Sequence, residues 1–533
     1  MNHTFNLITQ PWIPVLDMQG NYLEVGLAQA LAEADSFQSV AAPTALETAA
    51  IQRLLLAIVH RNHKTSSKME WAAVWQSGRF NQSVLANYWQ KWSDRFDLFN
   101  PDRPFYQQPT NRKKPVSAAG FFPGLAAADH FNHSVQLAQQ DLSPAEAARN
   151  LLVAQTFGLS GGCIPAERLS HKAASWVAGM VFFVEGDTLF QTLMYNLLRY
   201  NQEHPTTDLS FTEDDRPNWE ADGPYQPRNQ PYGYLDYMTW PSRMIWLKPE
   251  TQDGHTVVRS YVDFVGLPPP VVLDPFKFYR KDKNSKNATG YIPLYLNPNK
   301  AVWRSSSAIM RLHRDGFRTP ASLNWLADLR HIGALSFPLA RLVGYGLVVE
   351  NQTKVILLRR ESIPLPLAYL EQSADPEAQA DLLFILDMAI KQAEQIGKAL
   401  SSAIFRLAEI IYPRSRSEDK ATKLTPDQRQ QVNRIVHTIT TVSEYWALLE
   451  QPFYQLVVDL PSAEKIQKVQ ERWLKTAVKT GRDCLAASER RAGQFPAAWK
   501  GGVLARNLFE WILRKDGLAE PLPEGEKSAE NTL

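Results

Sequence analysis

The sequence is poor in cysteine, with only Cys163 and Cys484 among 533 residues. Two cysteines so far apart form neither a disulfide framework nor a cysteine zinc site. No stretch approaches the ~20 apolar residues that a membrane-spanning helix needs, and the N-terminus lacks a basic start followed by an apolar run. We therefore expect a protein that is neither secreted nor embedded in a membrane, and that works in the reducing cytoplasm.

An excess of charge of one sign is also absent. The sequence has 57 Lys and Arg residues and 55 Asp and Glu residues, which gives a net charge of +2. Any contact with nucleic acid must then come from a local basic surface rather than from the overall field. Hydrophobic residues make up 44% of the chain and charged residues 21%, which is typical of a folded protein. The length exceeds what one hydrophobic core usually serves and predicts two domains.

The pattern predicts an α+β fold with a large mixed domain over residues 1–366, a C-terminal four-helix bundle over 367–520 and a polar tail over 521–533. The first domain contains short strands, irregular loops and a core helix over Ala45–His60, with Thr44 and Glu47 placed as in a capping box. An apolar stripe at helical spacing begins near Asp375 and starts the bundle. Three further helical segments follow it, Pro426–Leu449, Ser462–Glu489 and Ala497–Arg514.

The sequence of residues 341–360 predicts a hairpin. A polar tip lies between two runs of strand composition, residues 343–349 and residues 355–358. The tip contains Asn351, Gln352 and Thr353. Uncharged Asn and Gln side chains carry both donors and acceptors, so they can lie against base edges or a groove floor. Arg359 and Arg360 follow at once and could hold phosphates. An ordinary polar hairpin turn is the alternative.

A glycine loop, residues 158–162, follows a predicted helix that Ser143 caps. The loop matches G-x-S-x-G, the nucleophile elbow of α/β-hydrolases, which would make Ser160 a nucleophile. An elbow joins a strand to a following helix, whereas a helix precedes this loop, so the context argues against a hydrolase. Gly158, Gly161 and Gly162 instead permit close backbone approach to another molecule, including a DNA groove, or simply end the helix.

Positive charge is concentrated in a basic segment that we define as residues 274–283. It carries Lys277, Arg280, Lys281 and Lys283 beside several aromatic residues. Basic side chains on such a loop would suit a narrow anionic groove. A solvated run of charges is the alternative.

Asp129, His130 and His133 are residue types that bind metals, yet no further histidine, cysteine or carboxylate spacing completes a ligand set. We therefore predict no metal site here and no cofactor. Phe131, with Asn132 beside it, suits stacking on a base or packing on a loop.

These features, in this order, resemble a known family, the large subunits called CasA of the type I-E CRISPR Cascade surveillance complex. The opening FNLITQPWIPV is similar to the family's start. The core helix, the Phe131 loop, the glycine loop, the basic segment, the Asn351–Gln352 hairpin and the terminal bundle follow in family order over nearly the whole chain. The chain departs from relatives that carry a cysteine zinc knuckle, which removes a metal site, and from relatives with a denser glycine loop, which leaves the individual glycine roles open.

The resemblance implies a subunit that recognises DNA and does no chemistry itself. The glycine loop and a lysine finger from the basic segment would probe the minor groove of the protospacer-adjacent duplex, while the Gln352 hairpin wedges beneath it and strand separation starts. Guide RNA pairing would then supply sequence specificity.

The implied partners are the crRNA, the target double-stranded DNA, the other Cascade subunits CasB, CasC, CasD and CasE, and the CRISPR helicase-nuclease. The loop of Phe131, Asn132 and His133 would meet the 5′ end of the guide, and the bundle would help hold the displaced strand and recruit the nuclease. Two alternatives stay open, a serine hydrolase that uses Ser160 and a purely structural scaffold whose loops contact only protein.

Overall fold

The computed structural model describes residues 3–63, 67–110, 114–118, 141–164, 169–201, 209, 212–222, 226–282, 284, 289–312, 316–335, 339–350, 354–370, 376–413, 424–462, 464 and 466–519. The chain divides into two compact units. The first comprises Met1–Val302 and Ala308–Gln372, and the second comprises Trp303–Ser307 and Ser373–Leu533. No described helix is both long enough and apolar enough to cross a bilayer.

Small antiparallel sheets characterise the first unit. Their strands are β1 (Ile13–Asp17), β2 (Tyr22–Val25), β3 (Phe37–Val40), β4 (Val116–Ser117), β5 (Gly161–Ile164), β6 (Leu169–His171), β7 (Val181–Glu185), β8 (Arg243–Gln252), β9 (His255–Val265), β10 (Tyr279–Lys281), β11 (Tyr291–Pro293), β12 (Phe317–Arg318), β13 (Leu339–Glu350) and β14 (Lys354–Pro366). They pair in the orders β2-β1-β3, β4-β9-β8, β11-β10-β12, β14-β13-β7 and β5-β6. Because each sheet is narrow, helices and loops must supply much of the core around it.

The helices before residue 372 are mostly short. They are α1 (Leu27–Ala32), α2 (Ala45–Asn62), α3 (Lys68–Ser77), α4 (Gln82–Trp92), α5 (Pro144–Phe157), α6 (Leu189–Asn196), α7 (Tyr234–Met238), α8 (Ser306–Met310) and α9 (Ala321–His331). Helix α2 is the predicted core helix, and its side chains from Leu46 to His60 are all buried. It begins where predicted, because the Thr44 hydroxyl accepts the Glu47 amide hydrogen at 3.2 Å.

Helices make up the second unit. They are α10 (Pro376–Ile411), α11 (Pro426–Ile439), α12 (Val442–Asp459), α13 (Ile466–Ala492) and α14 (Pro496–Lys515). The predicted mixed fold with a C-terminal helical cluster is therefore confirmed. The division after Gln372, with Trp303–Ser307 in the second unit, leaves the proposed domain limits at 366 and 520 as predictions.

The predicted single helix over Pro426–Leu449 is wrong in one detail, because the backbone is extended at Thr440 (φ −63°, ψ 142°) and separates α11 from α12. Thr441 is fully buried beside this break. Its hydroxyl lies 2.9 Å from both the Cys484 carbonyl and the Ser488 hydroxyl of α13. Tertiary hydrogen bonds thus stabilise a break that helical periodicity does not reveal.

Candidate nucleic-acid interface

The hairpin of β13 and β14 is confirmed and is longer than the sequence predicts. Its antiparallel register runs from Leu339 opposite Pro366 to Glu350 opposite Lys354, with a register shift at Val348 and Val349. On its other edge β13 pairs with β7. The tip residues Asn351, Gln352 and Thr353 lie outside the described residues, so their wedge role stays a prediction. What the structure adds is a stiff, paired base directly beneath that tip.

The two arginines behind the tip are engaged in ion pairs within the fold. Arg360 Nη2 lies 2.9 Å from the buried carboxylate of Glu185 in β7. The Tyr345 hydroxyl donates to the same carboxylate at 2.7 Å. Arg359 pairs with Glu361 at 2.9 Å. Both guanidinium groups therefore have carboxylate partners in this conformation, and the phosphate-binding role that the sequence suggests for Arg359 and Arg360 stays a prediction.

Arg243 anchors the start of the glycine loop. A Cβ added at Gly158 would lie 2.5 Å from the Ala154 carbonyl oxygen and 2.9 Å from Arg243 Nη2. The buried guanidinium donates to the carbonyls of Leu159 at 2.5 Å and Lys172 at 2.9 Å. Burial lowers the pKa of Arg243. Gly158 is therefore needed where the loop packs against Arg243, a role different from ligand contact.

The other two glycines form a β-bulge at the start of β5. Gly161 has φ +110°, a conformation that side chains with a Cβ rarely adopt. It pairs with His171, and Cys163 pairs with Ser170, so a register shift leaves Gly162 between the two pairs. Bulges re-aim the backbone and occur often beside functional sites. Positive φ and the bulge explain glycine at 161 and 162 better than a helix stop does.

The surroundings of Ser160 differ from a nucleophile elbow. Helix α5 precedes it and strand β5 follows it, which is the reverse of the strand-to-helix turn that exposes a nucleophilic serine. The predicted mismatch of context is thus confirmed. His171 lies opposite Gly161, and its Nε2 is 3.4 Å from the Asp263 carboxylate. That contact ties β6 to β9, so we assign His171 and Asp263 to the support of the loop.

The basic segment divides into an exposed part and a buried part. Arg280 and Lys281 are exposed at the end of β10, which is the central strand of its sheet. Lys283 lies outside the described residues. Lys277 is only 4% exposed, and its ammonium donates to the carbonyls of Ser175 at 2.5 Å and Ala178 at 2.7 Å. We therefore correct the candidate set by removing Lys277, because its ammonium is committed to the interior.

Other predicted site residues are not described. Phe131, Asn132 and His133 fall within residues 119–140, so the guide-contact role of that loop stays a prediction. His130 lies there as well. Among the residues that are described, no group of three or more His, Cys, Asp or Glu side chains could hold a metal ion.

One segment, Ala174–Glu185, joins the three predicted DNA elements, and we call it the support segment. At its start the Ala174 amide donates to the Gly158 carbonyl of the glycine loop at 2.8 Å. In its middle the Phe182 amide donates to the Phe276 carbonyl of the basic segment at 2.7 Å. Its last five residues are β7, which pairs with β13 of the hairpin. Backbone hydrogen bonds thus connect each of the three elements to one short stretch of chain.

Aromatic packing follows the same connections. Phe183 of the support segment stacks on Phe276 with ring centroids 4.9 Å apart and meets Tyr345 of the hairpin at 6.1 Å. Trp176 packs edge-on against Phe183 at 5.9 Å and Phe276 at 5.8 Å. These rings are buried. Because such a core is close-packed, it resists independent movement of the elements that it joins.

The support segment is not among the elements that the sequence singles out as functional. Its signal was the apolar run Met180–Val184, followed by Glu185, which is typical of a strand buried on both faces. That pattern predicts a core strand. It does not predict which elements the strand connects.

Comparisons with known proteins give a consistent result. Residues 6–484 match the sequence profile of the family described as CRISPR-associated protein Cse1. A relative from Thermus thermophilus, described as CRISPR-associated protein CasA/Cse1, is 30% identical over 476 residues, covering 84% of this chain and 86% of the relative.

Solved structures agree in fold. The Cse1 structure from Acidimicrobium ferrooxidans has a TM-score of 0.79 at 23% identity, covering 97% of this chain and 98% of that one. A CasA structure from Thermus thermophilus has a TM-score of 0.77 at 26% identity, covering 96% of this chain and 100% of that one. A chain of a structure described as a CRISPR RNA-guided surveillance complex has a TM-score of 0.70 at 20% identity, covering 95% of this chain and 99% of that one.

Proposed function

The chain belongs to the family of the CRISPR-associated protein Cse1, and from that membership we propose that it is the large subunit of a type I-E Cascade surveillance complex. Its task is to recognise the protospacer-adjacent motif in double-stranded DNA and to begin opening the duplex. Its partners are the crRNA, the target DNA, the subunits CasB, CasC, CasD and CasE, and the helicase-nuclease. The subunit itself does no chemistry.

The observation that carries the proposal is the convergence of the glycine loop, the basic segment and the hairpin on the support segment. A protein that recognises duplex DNA needs several contacts held in one fixed geometry, because a misplaced contact weakens binding and shifts the protein's register on the duplex. Three elements that are separate in sequence are each bonded to the same twelve-residue stretch, Ala174–Glu185. That arrangement suits joint action on one ligand better than three independent surface loops.

The chemistry of these elements suits a minor groove. The bulge at Gly161 and Gly162 offers backbone without bulky side chains, and Arg280 and Lys281 offer exposed positive charge. Cationic side chains are attracted to the negative potential of the groove. The minor groove distinguishes mainly A·T from G·C pairs. The subunit should therefore tolerate several adjacent motifs.

Duplex opening is assigned to the hairpin tip of Asn351, Gln352 and Thr353. Separating the first base step forfeits stacking of roughly 1 to 2 kcal/mol, and a side chain that fills the gap offsets part of this cost. A hairpin tip that separates base pairs also needs a rigid base. The paired strands, the β7 contact and the Glu185–Arg360 ion pair provide one.

The remaining contacts with the complex are assigned to the Phe131 loop, which meets the 5′ end of the guide, and to the C-terminal helices. The helices carry exposed basic side chains, which suit a displaced single strand. Lys391, Lys475, Lys479 and Lys500 are exposed there. The same cluster offers a surface for the helicase-nuclease.

Lys281→Ala tests the proposal in the assembled complex, loaded with guide RNA and given a matched target duplex. Removing one ionic contact with a phosphate-lined groove should weaken binding and lower the salt slope of log K by about one. Gel-shift titrations at several salt concentrations measure both quantities. Lys91→Ala is the control, because Lys91 is an exposed lysine of α4 outside the three elements.

The outcomes separate this function from the alternatives. If Lys281→Ala and Gly161→Asp both assemble normally and bind the duplex as wild type does, the proposal fails and the scaffold alternative takes its place. Gly161→Asp is the harsher change, since it adds bulk and negative charge where the groove must approach.

A further inference from the structure

We propose that Lys277 and Asp274 are positioning residues that hold the glycine loop and β10 at a fixed separation, so that both contact one duplex at once. This inference rests on the proposed function and deepens it. Neither of these two buried side chains contacts the DNA itself. Together they form what we call the buried latch, a link between the basic segment and the support segment.

Lys277 supplies the first half of the latch. Its ammonium bonds the carbonyls of Ser175 and Ala178, which lie one and four residues beyond Ala174, the residue whose amide bonds the glycine loop at Gly158. In the other direction along the chain, Lys277 stands three residues before Arg280 and four before Lys281. One buried side chain therefore connects the support of the glycine loop to the strand that carries the exposed charge.

Asp274 supplies the second half. Its carboxylate is 3% exposed and accepts hydrogen bonds from Trp176 Nε1 at 2.7 Å, from the Phe276 amide at 2.8 Å and from the Tyr237 hydroxyl. The Trp176 bond reaches the support segment a second time. The Lys277 amide also donates to the Asp274 carbonyl at 3.1 Å, so the two latch residues close one tight turn.

The positive charge of Lys277 explains why a lysine, rather than an apolar residue, serves in the latch. Burying an ammonium is costly, and burial lowers the pKa of Lys277 to about 8. An apolar side chain of similar length would fill the space without that cost. Only the ammonium, however, can donate to two carbonyls at once and so determine their positions relative to β10. These two hydrogen bonds therefore hold the support segment at a set distance from β10, and joint contact with one duplex would use that fixed separation.

A second buried cation, Arg53 of α2, packs beside the latch. Arg53 of α2 stacks on Trp176 with its guanidinium carbon 4.5 Å from the ring centroid. Its Nη2 donates to the Tyr237 carbonyl at 2.7 Å. Arg53 thus contacts both of the residues whose side chains donate to the Asp274 carboxylate. The cluster lies inside the first unit rather than on its surface.

Lys277→Met is the test, because the methionine side chain matches the lysine stem up to Cε and lacks the ammonium donors. In the assembled complex, with guide RNA and a motif-containing closed duplex, we expect binding about tenfold weaker, the effect of losing charged hydrogen bonds in a buried site. In a target that is already mismatched beside the motif, guide pairing can begin without motif-dependent opening, so this target should bind the variant and wild type within about twofold. Discrimination between a preferred and a non-preferred motif should fall by a similar factor of about ten.

A residue needed only for folding would change these readouts differently. Loss of general stability would weaken closed and pre-opened targets alike and leave motif discrimination unchanged, and that result would overturn the proposal. Wild-type binding to all targets would overturn it too. If Lys277→Met does not fold, Asp274→Asn replaces it, since asparagine keeps the size and weakens the acceptor. The same pattern of selective loss is expected for that variant, and its absence contradicts the latch.

Lys281→Ala, measured in parallel, separates the latch from the proposed function. If Lys281→Ala weakens duplex binding and Lys277→Met does not, only the latch is wrong. If neither change affects binding and Gly161→Asp also binds the duplex as wild type does, the proposed function fails.

Discussion

Gly161→Ala tests whether the glycine loop acts through its backbone. At φ +110° a residue with a Cβ is in a sparsely populated region that costs about 1 to 3 kcal/mol. Alanine also restricts the unfolded chain, which offsets about 0.4 to 1 kcal/mol of that cost. The net destabilisation should thus lie between about 0 and 2.6 kcal/mol, or about 1.3 kcal/mol at the middle of both ranges. Alternatively, β5 could relieve the strain by rotating, and the bulge at Gly162 would then shift.

Either response should impair duplex recognition. A shifted bulge places the loop's backbone wrongly against the groove, and the added methyl group hinders close approach even if the bulge persists. We expect the assembled complex to bind a motif-containing duplex at least about tenfold more weakly, as for loss of a well-formed contact. The measurements are equilibrium binding of the complex and urea unfolding of the isolated subunit.

Gly254→Ala is the matched control. Gly254 has φ +79° in the turn between β8 and β9, and a Cβ there would meet nothing within 4 Å. The change should carry a similar backbone cost without any effect on the duplex. If Gly161→Ala loses the same stability as Gly254→Ala and both bind the duplex as wild type does, the glycine at 161 serves only the fold, and the reasoning is refuted.

Three further results are expected. Gln352→Ala should slow strand separation in stopped-flow measurements on a fully paired target but not on one mismatched beside the motif, and an equal defect on both would make Gln352 a general contact. Ser160→Ala should leave target binding nearly intact, and an esterase activity that this change abolished would instead support the hydrolase. Burial lowers the pKa of His60 to about 3, so the unfolded chain binds a proton that the folded chain refuses, and stability falls as the pH drops below about 6.5. Urea unfolding should show a loss of about 2 kcal/mol between pH 7.5 and pH 5, and a His60→Leu variant that keeps the same loss would contradict this origin.

Local structure was largely predictable, because its causes are local. The Ala45–Asn62 helix begins where Thr44 can cap it, and α5 begins at a capping box formed by Ser143 and Glu146. These signals involve residues within one or two turns of each other. The hairpin predicted over residues 341–360, which the structure extends to 339–366, was predictable for the same reason, since its two strands are adjacent in sequence.

Partners that are distant in sequence were not predictable. Lys277 lies in a basic, aromatic-rich segment that suggests groove binding. Its ammonium instead donates to two carbonyls about a hundred residues earlier in the sequence. Whether a cation faces solvent or the interior depends on which strands become neighbours, and no pattern within ten residues contains that information.

The sequence by itself therefore determined which segments could form helices, which could form a hairpin and where glycine and positive charge were available for a ligand. Only the tertiary structure decided that the glycine loop, the basic segment and the hairpin meet at Ala174–Glu185, and which of the basic residues remain exposed. The physical reason is that periodicity, caps and turns act over a few residues, whereas burial and strand pairing depend on contacts that the whole chain must close.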